Sequence, residues 1–89
     1  MGGGLSDREE AIARSSMTEY IVIYERGEGG WGAYSPDVPG CIATGRSQAD
    51  VELRFKQALE FHLEGLRLEG LPLPVPRSEV GRVRVEVAA

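Results

Sequence analysis

Tyr34-Ser35-Pro36-Asp37-Val38-Pro39-Gly40-Cys41 decides how this chain folds, with Ile42-Ala43-Thr44-Gly45 and then Ser47 behind it. Pro36 and Pro39 each fix φ and remove a backbone donor, so neither a helix nor a regular strand is expected to run through them. The stretch reads as a rigid connector. It separates an aromatic strand ending at Tyr34 or Ser35 from a short apolar edge strand at Cys41 to Thr44. Asp37, in such a turn, is expected to bond its own backbone two residues on.

Working outward, Tyr20-Ile21-Val22-Ile23-Tyr24 is β-branched and aromatic on both parities, which predicts a strand covered on both faces. Arg26-Gly27-Glu28-Gly29-Gly30 supplies a hairpin loop. Trp31 to Ser35 follows as the second strand, with Trp31, Ala33 and Ser35 on one face and Gly32 and Tyr34 on the other. On the other side of the connector, Ser47-Gln48-Ala49-Asp50 marks a helix start, since Ser47 can accept from first-turn amides while Asp50 and Glu52 complement the positive end of the dipole. Val51, Phe55, Ala58, Leu59, His62 and Leu66 form the sheet-facing stripe. Leu53, Phe61 and Leu68 lie on a different side, among charges. Gly70 and the alternating prolines of Leu71-Pro72-Leu73-Pro74-Val75-Pro76 end the helix and keep the chain extended. Val83, Val85 and Val87 then alternate with Arg82, Arg84 and Glu86, as in a half-buried last strand.

These elements assemble as a two-layer α+β domain of order β-β-β-α-β. The right-handed crossover rule places the fourth strand beside the first, giving sheet order 3-2-1-4 with one long helix on one face. Residues 17–89 form the single domain. Residues 1–16, which open on Gly2-Gly3-Gly4 and carry Ser6 and Glu9 at capping-box spacing, read as a flexible extension, with Met17 as an alternative start.

The chain also resembles a known family, the HicB-like antitoxins of prokaryotic toxin–antitoxin pairs. The resemblance is carried by the Tyr20 to Tyr24 strand, Glu28-Gly29-Gly30-Trp31 before Ala33-Tyr34, the Pro36-Asp37-Val38-Pro39-Gly40-Cys41 block, and Gly45 leading into Ser47. It runs from about Met17 to Pro76. It implies a partial RNase H-like fold and a partner, a HicA-like mRNA-cleaving toxin with a double-stranded-RNA-binding-like fold and a catalytic histidine. Many members of the family carry a C-terminal DNA-binding module. This sequence stops just after the fourth predicted strand, so no direct DNA binding is expected.

Composition bounds the function. Eighty-nine residues make one small domain in which burial is limited, and self-association is a ready way to add more. A net charge of −4 argues against gripping nucleic acid through a broad basic surface and suits a basic partner. One cysteine forms no internal disulfide, and His62 is the only histidine, so no zinc cluster is expected. There is no apolar run of membrane length and no leader pattern, which points to the cytoplasm.

No constellation for catalysis stands out. Cys41 and His62 are the obvious thiolate–imidazole pair to test, but Cys41 sits in an apolar strand and His62 on the helix's apolar stripe, as interior residues do. Glu19, Glu25 and Asp37 lack the pattern of a metal-gathering nuclease site. Gly27-Glu28-Gly29-Gly30 precedes no helix and lacks the Lys and Ser/Thr of a phosphate loop. Tyr20, Tyr24, Trp31 and Tyr34 fit a core or protein interface better than base stacking in an acidic chain.

The sequence therefore predicts a non-catalytic binding protein without cofactor, an antitoxin that masks a small basic toxin. Trp31, Tyr34, Pro36, Asp37, Val38 and Pro39 are the expected partner contacts. Leu53, Phe61 and Leu68 are the expected homo-oligomer surface. The alternatives are an orphan homo-oligomeric scaffold or small-ligand module and, from a third class, an RNA-binding or weak nuclease module.

Overall fold

A computed structural model describes residues 17–88. The expected N-terminal extension lies outside the described residues. Three strands, β1 (Ile23–Gly27), β2 (Gly30–Ser35) and β3 (Val38–Gly45), form an antiparallel sheet in the order β1-β2-β3. One helix, α1 (Gln48–Leu68), packs on β3 and β2. The fold is α+β with two layers, as the sequence indicates.

Its details differ in three places. The first strand begins at Ile23, not Tyr20: Ile23 pairs with Tyr34, one residue short of the end of β2, and the residues before it have no ladder partner among the described residues. The third strand begins at Val38 rather than Cys41. Ser35 pairs with Val38 and Tyr34 with Ile42, so Pro39, Gly40 and Cys41 are accommodated on β3 between two consecutive residues of β2. This bulge is possible because β3 is an edge strand, where a missing proline N–H costs no ladder bond, and because Gly40 takes φ 85°. The connector is thus a two-residue turn at Pro36-Asp37 followed by a bulge, and most of it joins the sheet.

The third difference is larger. The expected fourth strand is not part of the sheet, and order 3-2-1-4 is not seen; residues 71–88 carry no regular secondary structure and pair with no strand among the described residues. A strand needs a neighbour to satisfy its backbone. After the helix the chain is led elsewhere by the contacts described below.

The helix starts two residues after β3. Ser47, in extended conformation, accepts from the Asp50 amide at 3.0 Å, and Asp50 Oδ2 accepts from the Arg46 amide at 2.9 Å, so the first turn is closed from both directions. Gly45 makes this junction tight. A Cβ there would lie 2.7 Å from the Val51 nitrogen and 2.9 Å from Asp50 Oδ2. At the far end, Gly70 N donates to Arg67 O and Leu71 N to Leu66 O, closing the last turn with a Schellman pattern.

Folding the helix back at this junction drops Val51 and Phe55 onto Ala33, Val38 and Cys41, which form the core. Tyr20, Val22, Tyr24, Trp31, Ala43, Ala58 and Leu59 pack around it, half-buried. Phe55, 2 % exposed, is the largest fully enclosed side chain. Phe55→Ala is expected to cost about 3–5 kcal/mol, a large share of the stability of a domain this small, and urea unfolding followed by circular dichroism measures it.

Candidate functional site

The β2–β3 turn holds the segment that follows the helix. Asp37 Oδ2 accepts from the backbone amides of Arg77 at 3.0 Å and Ser78 at 2.9 Å, and Ser78 Oγ donates to Asp37 Oδ1 at 2.9 Å. Tyr20 OH donates to Pro74 O at 2.7 Å. Together these bonds clasp residues 74–78 to the end of the sheet. Asp37 does not bond its own turn; it holds the segment that follows the helix, some forty residues away. The donated Ser78 amide, followed by the Ser78 hydroxyl and the Arg77 amide and charge, outweighs desolvation and holds the Asp37 carboxyl below its ordinary range.

The six expected partner contacts are distributed over the sheet. Trp31 and Tyr34 are on opposite faces of β2, as their parity requires. Trp31 is half-buried on the helix side, at a groove of about 800 Å³ that also includes Arg26, Arg46, Asp50 and Arg54. Val38 is core, 1 % exposed. Pro36 and Pro39 are exposed, and Asp37 is in the clasp.

Tyr34 belongs to a row that the sequence reading missed. Ile23 pairs with Tyr34 and Tyr34 with Ile42, so these three apolar residues lie side by side on the face away from the helix. Tyr34 is 38 % and Ile42 71 % exposed. Only the register, shifted by the bulge, brings Ile42 opposite Tyr34.

On the outer side of α1, Leu53, Phe61 and Leu68 are all exposed, Phe61 by 83 %. Between this face and the β3 edge runs a groove of about 420 Å³ lined by Gly40, Cys41, Ile42, Phe61, His62 and Leu66, among others. Cys41 and His62 thus line one groove, yet no hydrogen bond joins them, and burial pushes the Cys41 thiol up, opposite to the activation a nucleophile needs. Glu19 precedes β1, Glu25 is opposite Gly32 and Asp37 is at the clasp, so the three carboxylates do not converge. Among the described residues, no group of three or more His, Cys, Asp or Glu is placed to hold a metal ion. No described helix is long and apolar enough to cross a membrane.

Comparison with known proteins adds the class. No family model matches the chain. An uncharacterised 14.9 kDa protein from the rep–hol intergenic region of Haemophilus phage HP1 is 34 % identical over 55 residues, 62 % of this chain and 41 % of the phage protein. The chain therefore spans about two-fifths of the length of that relative. Among solved structures, a chain of a HicA3 and HicB3 toxin–antitoxin complex superposes with a TM-score of 0.59 at 33 % identity, over 67 % of this chain and 70 % of that one. The fold is one used in toxin–antitoxin complexes, and this chain is related to a component of such a complex.

The clasp gives a pH dependence. Because the folded Asp37 carboxyl titrates below its ordinary value of 3.8, the attachment it makes is complete above that pH and is lost as pH falls through the lower folded value. Amide shifts and hydrogen exchange at Arg77 and Ser78, followed by NMR across this acidic window, are expected to report release. In Asp37→Ala both amides are expected to exchange freely at every pH.

Proposed function

We propose that this chain is the HicB-like, antitoxin-type component of a toxin–antitoxin pair, a cytoplasmic, non-catalytic protein that binds and masks a small basic mRNA-cleaving partner. The observation that carries this reading is the likeness, in fold and at 33 % identity, to a chain of a toxin–antitoxin complex. The antitoxin half fits better than the toxin half. Net charge −4 and a sole histidine half-buried on the helix's sheet-facing stripe do not suit an RNA-cleaving surface.

The physics of masking agrees with the surface. Asp50 is held ionised chiefly by the Arg46 amide and by Arg54, and Glu64 by Arg67, but each is paired with its arginine, so the long-range attraction comes from the net charge of −4. A cationic partner is steered toward such a chain. Apolar anchors then supply the close contact. Of the expected patch, Tyr34, Pro36 and Pro39 are exposed and free to meet a partner, and the register adds Ile23 and Ile42 on either side of Tyr34. Val38 and Asp37 support it from within.

The test is to look for a toxin-like open reading frame adjacent to this gene and to co-express its product, an RNA-cleaving protein on this reading, with the chain. Tyr34→Asp with Ile42→Asp is expected to weaken the complex by about 2–4 kcal/mol, the size of a lost hot spot, and to restore RNA cleavage. Isothermal titration and growth rescue measure the two effects, and association with the unaltered chain should slow as salt is raised. Full neutralisation by a correctly folded double variant would place the contact elsewhere.

A further inference from the structure

We propose that residues 80–87 are an exchanged strand: in solution they complete the sheet of a second copy of this chain by pairing along the free edge of its β1, each copy giving one strand and receiving one. This does not rest on the toxin-masking reading.

The donor segment has the alternation of a strand and pairs with no strand among the described residues. Val80, Val83, Val85 and Val87 are between 69 and 85 % exposed, the last three alternating with Arg82, Arg84 and Glu86. Such a pattern is built for a half-buried strand. The acceptor is equally incomplete. β1 pairs only with β2 among the described residues, and α1 packs on β2 and β3, so Tyr20, Val22 and Tyr24 on the β1 flank reach the core only half-buried.

The two fit by pleat. Tyr20, Val22 and Tyr24 share the helix side of the β1 line. A strand laid beside them with Val83, Val85 and Val87 on that side turns Arg82 and Arg84 to the face that carries Glu25. The valines gain cover and the arginines an acidic neighbour.

The route of the chain decides whose edge is filled. Pro72, Pro74 and Pro76 keep the connector extended. The Tyr20 side chain holds Pro74 beside the residues leading into β1, and Asp37 holds Ser78 at the β2–β3 turn, so between these two points the backbone runs from the β1 side toward β3, away from the free edge of β1. To reach its own edge the chain must reverse immediately after Ser78, giving up the clasp. A second copy's edge needs no reversal. One donor and one acceptor per chain close as a two-fold dimer, leaving neither the valines nor the β1 edge open.

The experiment uses the full chain at micromolar concentration, with light scattering on a sizing column and NMR of a sample mixing labelled and unlabelled copies. Expected are a mass of twice 9.7 kDa and intermolecular contacts between Val83 or Val85 and residues of the β1 line. Val83→Asp with Val85→Asp, and separately deletion of residues 79–89, are expected to give folded monomers with unchanged helical circular dichroism. A monomeric full chain overturns the proposal, whether amides 80–87 are protected on its own sheet or exchange freely. So does a dimer that survives the valine changes, which assigns self-association to another surface such as Leu53, Phe61 and Leu68, or one in which the tail lies on β3.

Discussion

Among the described residues one helix covers a three-stranded sheet, and only Arg46 and Ser47 stand between it and β3. The shortness of that link sets where the helix can lie. With Gly45 admitting Asp50 and Val51 to within contact of its backbone, the helix turns straight back over β3 and β2, and Val51 and Phe55 meet Ala33, Val38 and Cys41. The β1 flank and the whole opposite face of the sheet stay outside its reach. The five buried apolar residues among those described make a core that is small against the conformational entropy of the chain, so the surfaces the helix leaves uncovered are as much a consequence of the junction as the core is.

What the sequence made legible follows from how local each cause is. The helix start was readable because Ser47 and Asp50 act within one turn, and the Gly27 to Gly30 hairpin because turn chemistry needs no distant partner. The outward position of Leu53, Phe61 and Leu68 followed from periodicity alone. The bulge was not readable: Pro39 and Gly40 look like strand breakers, and only an edge position lets them sit in β3. The fourth strand was over-read for the converse reason, since alternation in Val83 to Val87 states what a segment could do, not whether a partner strand is within reach.

The candidate site divides along the same line. Tyr34 could be found as an exposed aromatic by parity, but Ile42 becomes its neighbour only through the shifted register. Val38 was expected among the partner contacts with the rest of the connector; the turn instead points it inward as one of the most enclosed residues. Asp37 shows the limit most clearly. Its bonds to Arg77 and Ser78 span some forty positions with no motif to announce them, and they convert an ordinary turn aspartate into the anchor of the C-terminal segment.

That anchor connects stability to assembly. Fixing Pro74 and Ser78 removes freedom from the chain only up to the clasp; beyond it, four valines remain in water without the burial that normally justifies ordering them. Apolar exposure on this scale, repeated on the outer sheet row and on the outer helix face, is costly in a protein that acts alone and ordinary in one that works as part of an assembly. A small acidic domain with three uncovered apolar regions can hold a second copy through one and a basic partner through another without the two competing for the same residues. The likeness to a component of a toxin–antitoxin complex and the apolar surface left open among the described residues both support the assemblies proposed above, in which the working unit is larger than one chain.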